Sequence, residues 1–202
     1  MPKYKKRWWK DVQKTGERDL FITIVKLKQY LNNCKYNYEK ICLILLYYTG
    51  ARPSELLDLR IKNFGFDRLC DSNKNLIDCV TVVLPTKKSG ISRKIFIPII
   101  NENRDVLEHL TKFLQNYNNL TEMRLFPQRW STVHSIKYAV KRATNNELAP
   151  YFFRHNRLSL LADDGANLYQ LMHFKGAKTP NSVLPYLTLA GRDIRDISLK
   201  MK

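Results

Sequence analysis

Residues 45–60 read "LLYYTGARPSELLDLR". An apolar run stops at Thr49-Gly50-Ala51, a cation follows at Arg52, and Pro53 opens a new helix with Glu55 in its first turn. Proline suits the first helical position because its missing N–H would have no partner there anyway. An arginine at the seam between a buried helix and a Pro-started helix has two readings. It is an ordinary surface charge, as most arginines are, or it is a fixed cation in the floor of a site that binds an anion. The rest of the chain must decide between them.

Upstream, residues 17–33 and 37–49 read as helices. In the second, Ile41, Leu43, Ile44, Leu45 and Leu46 are apolar nearly all round, which predicts a central position. Downstream, β-branched content marks strands at 78–84 and 93–99. The turn "PTKKSGIS" between them makes a hairpin carrying Lys87 and Lys88. Residues 102–117 repeat apolar side chains at helical period. "NYNNLTEMRLFPQRW" is a loop, and Ser131 or Thr132 caps a helix running to about residue 145. Helices at 153–164 and 167–174 are separated by "DDGAN". After the break "GAKTP", Pro180 opens a short helix carrying Tyr186. The fold class is therefore mainly α (α+β), a helical domain with a small antiparallel β-hairpin or three-stranded sheet. Its expected divisions are a basic arm over 1–16, one domain over 17–190 and a tail over 191–202.

The 202 residues hold 35 Lys and Arg against 18 Asp and Glu, a formal charge of +17. An excess of this size predicts a polyanionic partner. Nucleic acid comes first. A membrane surface is disfavoured, because the sequence has no long apolar span and no basic amphipathic anchor. The arm concentrates Lys3, Lys5, Lys6 and Arg7 beside Trp8 and Trp9, and reads either as a disordered leader or as a segment lying along phosphates. Cys34, Cys42, Cys70 and Cys79 form no CxxC pair, so free thiols in a reducing compartment are expected and no metal or other cofactor is implied.

Four features stand at element junctions: Arg52, the Lys87–Lys88 turn, Arg154 in "YFFRHNRLSLLADDG", and Tyr186 in "TPNSVLPYLTL". Two guanidinium forks can hold both non-bridging oxygens of a phosphodiester and offset the extra charge of a pentacoordinate transition state. A tyrosine hydroxyl can attack that phosphorus, and a lysine on the hairpin can protonate the departing sugar oxygen.

"YTGARPSELLDLR" resembles the first arginine box of the tyrosine recombinases, usually written TGLRxSEL. "YFFRHNRLSLLADDGANLYQLMHFKGAKTPNSVLPYL" resembles their second box: HxxRH, a helix, then LGH or LGW, then the nucleophile. Tyr186 follows Arg154 at the family's usual interval of 32 residues. The likeness runs from about residue 17 to 190. It implies a phosphate clamp of Arg52 and Arg154, Tyr186 as nucleophile forming a 3′-phosphotyrosine, and a hairpin lysine as general acid. Lys88 fits that place best, with Lys87 as the alternative. It also implies Glu55 as an acid supporting the first box. The chain departs from the pattern twice. Tyr151 stands in place of the first histidine, where its phenol could donate to a phosphate oxygen, and Ala177 stands at the LGH position. His155 follows Arg154 as in the family's "RH".

The resemblance implies an integrase acting on duplex DNA with inverted half-sites as a homodimer or tetramer. Lys137, Lys141, Arg142 and Lys178 are further candidates for phosphate contacts. It needs no ATP or metal, and acts in the cytoplasm or nucleoid, as for a virus or other mobile element. Met1 and the basic arm favour a stand-alone chain over a fragment. Two other readings remain open: a weakly or non-catalytic DNA binder on the same scaffold, motivated by Tyr151 and Ala177, and a type IB topoisomerase-like activity.

Overall fold

The computed structural model describes residues 21–85 and 92–189. The arm, the tail, Lys3, Lys5, Lys6, Arg7, Lys87 and Lys88 lie outside the described residues. Among the described residues, eight α-helices and three strands follow in order: α1 Ile24–Asn32, α2 Asn37–Thr49, α3 Pro53–Leu57, β1 Phe64–Cys70, β2 Leu76–Leu84, β3 Arg93–Pro98, α4 Arg104–Asn116, α5 Val133–Ala143, α6 Pro150–Asp163, α7 Leu168–Lys175 and α8 Leu184–Leu189.

Helix α2 is the axis of the domain. Every residue from Ile41 to Thr49 is buried, and α1, α4, α5 and α6 pack around it. Such all-round burial follows from its uniform apolar content, which leaves no solvated stripe. Buried Glu39 fixes its start by accepting from the Lys35 and Tyr36 backbone N–H groups (2.9 and 3.3 Å). Gly50 ends it at φ +54°, a conformation that favours glycine. The distant residues 21–22 are tied to α6 by Asn156, whose amide accepts from the Ile22 N–H (2.8 Å) and donates to the Ile22 carbonyl (3.2 Å).

The sheet is antiparallel in the order β1-β2-β3, with Phe64 opposite Val82 and Cys79 opposite Pro98. Strand β1 has no place in the sequence-derived order of elements. Its residues are largely exposed and include Gly65, Asp67 and Arg68, so neither alternation nor β-branching marks it. Pairing with β2 and the turn at Asp71 define it; one Asp71 carboxylate oxygen accepts from the Asn73 and Asn75 N–H groups, both at 2.8 Å.

Several predicted ends shift: α1 begins at Ile24 rather than residue 17, with residues 21–23 outside it, and α6 begins at Pro150 rather than residue 153. Helix α5 stops at Ala143 rather than 145, because Thr144 bonds back to the Val140 carbonyl (2.8 Å) and Asn145 and Asn146 take φ of +48° and +66°. The short helix carrying Tyr186 is two pieces, a 3₁₀ turn Pro180–Ser182 and then α8. Among the described residues no helix is long and apolar enough to cross a membrane.

Candidate active site

Three helix ends and one strand end meet beside α2. Arg52 is the N-cap of α3. Its backbone N–H donates to Glu55 (2.7 Å), and its guanidinium donates to the other oxygen of the same carboxylate (2.7 Å). Glu55 thus caps the helix and orients the arginine, whose side chain stays 30% exposed. The same carboxylate accepts from Arg93 at 2.6 Å.

Arg93 opens β3 and is almost completely buried. It also donates to the Phe174 carbonyl (2.8 Å), while its Nε has no hydrogen-bond partner among the described residues. Arg154, buried in α6, donates to the Gly50 carbonyl (2.7 Å) and to the Lys175 carbonyl. The logic is common to both. The last carbonyls of a helix have no intrahelical partner and carry the negative end of its dipole. The ends of α2 and α7 therefore stabilise buried guanidinium groups that few other surroundings would accept.

Lys175 closes the cluster. Its ammonium donates to the Ser182 carbonyl and lies 5.1 Å from the centre of the Tyr186 ring. Four cations (Arg52, Arg93, Arg154, Lys175) thus gather here, and the Glu55 carboxylate pairs directly with two of them, Arg52 and Arg93. The imbalance shows in their acidities. Burial, reinforced by Arg93 and Arg52, pushes Arg154 down to about 10. Burial, reinforced by Arg154 and Arg52, pushes Lys175 down to about 8. A bound anion would relieve both, which is the electrostatic signature of an anion site.

Tyr186 is buried in a small apolar cluster with Leu158, Ala162, Leu171 and Val183. Its hydroxyl lies 2.9 Å from Nδ1 of His155. Burial pushes the phenol up to about 12, with Arg154 acting in the opposite direction. Ala177 packs against the same cluster, so its position offers an apolar wall where the resemblance places a donor.

Of the residues predicted from sequence, Arg52, Glu55, Arg154 and Tyr186 come together here, and with them stands His155, whose place in the resemblance is mainly structural. Tyr151 does not join them in any described hydrogen bond. It is 53% exposed and lines a cavity of about 270 Å³ with Pro53, Lys137, Lys141, Ala149 and Pro150. Arg142 pairs with buried Glu39, so part of its charge is already committed within the fold. Lys137 and Lys178 are exposed.

Arg93 and Lys175 are absent from the sequence-derived site. Arg93 has a signal in hindsight, since the alternation of "RKIFIP" puts it on the inward face with Ile95 and Ile97. Lys175 has none, because a lysine in the last turn of a helix is ordinary.

Gly176 ends α7 at φ +65°, and a Cβ there would stand 3.3 Å from Nη1 of Arg93. Gly176→Ala should cost about 1–2 kcal/mol from the left-handed backbone alone, read as a lower midpoint in urea unfolding. A change below a few tenths of a kcal/mol would contradict the tight seating of Arg93.

The fold resembles solved recombinases. A crystal structure of XerA recombinase superposes with a TM-score of 0.58 at 15% identity, covering 89% of this chain and 62% of that one. A XerH site-specific recombinase bound to its difH substrate gives 0.57 at 18% identity, covering 82% and 49%. The helical domain with its three-stranded antiparallel sheet is thus the catalytic-domain fold of tyrosine recombinases. Tyrosine recombinase XerA of Saccharolobus solfataricus is 25% identical over 176 residues, covering 87% of this chain and 54% of that protein. The phage integrase family model matches residues 21–191, and the chain belongs to that family. It spans about half the length of the curated relative it matches.

Proposed function

We propose that this chain cleaves and rejoins duplex DNA at specific sites through a covalent 3′-phosphotyrosine. One observation carries the proposal: Arg52, Arg93, Arg154 and Lys175 gather beside Glu55, with Lys175 linking Arg154 to the ring of Tyr186. Arg52 and Arg154 hold the non-bridging oxygens of the scissile phosphate. Tyr186 attacks the phosphorus, and a hairpin lysine, Lys88 or else Lys87, protonates the departing 5′-oxygen. Tyr151 stands with Lys137 and Lys141 on the flank, where the three contact the DNA backbone, and Arg142 and Lys178 extend that contact. Two half-sites and a dimer or tetramer complete the proposed complex, and a virus or other mobile element is the proposed origin.

A second reading, a DNA binder without catalysis, draws support from the 3% exposure of Tyr186 and the apolar setting of Ala177. A nicked suicide duplex separates the two. Wild-type protein should form a denaturation-resistant adduct with DNA, and Tyr186→Phe should form none while binding the same duplex. Phenylalanine fits the pocket and loses the His155 hydrogen bond, so its stability should change by about 1 kcal/mol. Binding without any adduct from the wild type would favour the second reading.

A further inference from the structure

We infer that His155 takes the phenolic proton of Tyr186 as that oxygen attacks phosphorus. The inference rests on the reading of Tyr186 as nucleophile. Nδ1 of His155 and the Tyr186 hydroxyl are 2.9 Å apart, and the two rings lie 6.0 Å apart at 31°. His155 follows Arg154 directly in α6, so one helical turn supplies both a phosphate-binding fork and a base beside the nucleophile. The alternatives are poorly placed. Tyr151 is exposed on the flank and is a phenol, a poor base near neutral pH, and Ala177 has no titratable group.

A proton acceptor must be neutral before the reaction. Burial, then Lys175 facing it from α7, then Arg154 from α6, push the imidazole down to about 4. The third titratable group at this point is Tyr186 from α8, whose own raised value keeps it a phenol. Neither ring therefore carries charge at rest. A phosphate against Arg154 and Lys175 offsets the cations that depress the imidazole, so basicity rises when DNA is in place. The step balances. The Oη–P bond forms and the P–O5′ bond breaks. The phenolic proton moves to Nδ1, and the 5′-oxygen leaves as a hydroxyl with a proton from the general acid of the proposed reaction. On rejoining, the imidazolium returns its proton to Oη.

The test uses the full chain, the nicked suicide duplex and four forms of the protein. His155→Asn keeps a hydrogen-bond acceptor near Nδ1 but cannot carry a proton, and it should slow adduct formation by about 10²-fold or more with DNA binding unchanged. Placing 2,3,5-trifluorotyrosine at position 186 supplies a more acidic phenol that depends less on a base. It should speed adduct formation at least tenfold more in the His155→Asn protein than in the wild-type background. Equal responses in both backgrounds would reduce His155 to a positioning residue and overturn the inference. So would ¹⁵N spectra showing the proton of resting His155 on Nδ1 rather than Nε2. If the wild type forms no adduct at all, the catalytic reading itself fails and takes this inference with it.

Discussion

Glu55→Ala should lower stability by about 3–5 kcal/mol, the cost of leaving a buried cation without its counter-charge. Arg93 is the residue that makes the effect large. Its side chain is 2% exposed, its Nη2 is held by Glu55 at 2.6 Å, and its Nε has no hydrogen-bond partner among the described residues. Burial pushes its pKa down, Glu55 acts in the opposite direction, and Arg52 depresses it further. Without the carboxylate, only the Phe174 carbonyl remains, among the described residues, to hold this guanidinium. The loss is comparable to the whole stability of many domains, about 5–15 kcal/mol, so the variant should be partly unfolded at 37 °C. Pairing it with Arg93→Met removes the orphaned charge and should recover most of the lost stability, as buried ion pairs replaced by apolar groups commonly do. Urea unfolding of the two single variants and the double variant measures the coupling. A cost under 1 kcal/mol for Glu55→Ala, or simple additivity in the double variant, would show that the pair holds little.

That buried pair also marks the limit of what could be read in the chain. Helix α2 was legible because nothing but burial explains apolar residues on every side of a helix. The seam at Gly50–Pro53 was legible because glycine and proline each have a narrow structural use. Arg52, Arg154 and Tyr186 were legible as a set through their order and spacing. Strand β1 was not, since its identity comes from its neighbour β2 rather than from its own side chains. Arg93 was hidden by its company: in "SRKIFIP" it reads as one more surface charge before a strand, and only the alternation with Ile95 and Ile97 turns it inward. Lys175 was hidden more thoroughly. Its role depends on the Ser182 carbonyl and the Tyr186 ring, which the backbone brings to it only after the turn at Gly176. Charge that is meaningful through a partner distant in sequence leaves no local pattern.

Arg154→Lys should reduce the rate of adduct formation by about 10²–10³, the usual cost of losing one preorganised donor to a developing oxyanion. The charge is kept, so the effect isolates geometry. The guanidinium spans two helix ends at once, with one nitrogen on the Gly50 carbonyl at 2.7 Å and another on the Lys175 carbonyl. An ammonium is a point charge on a flexible stem and cannot fill both anchors while presenting a planar pair of donors to a phosphate. It would settle on one carbonyl and leave the other unpaired in a buried site, costing about 1–3 kcal/mol of stability as well. Affinity for duplex DNA should change far less, because the phosphate proposed for Arg154 would be one of many contacts open to a strongly basic chain. Rates on the nicked duplex, measured at saturating protein, separate the catalytic loss from the binding loss. If the lysine variant keeps more than a tenth of the wild-type rate, Arg154 serves chiefly to brace the ends of α2 and α7, and the phosphate clamp must be built from other cations of the cluster.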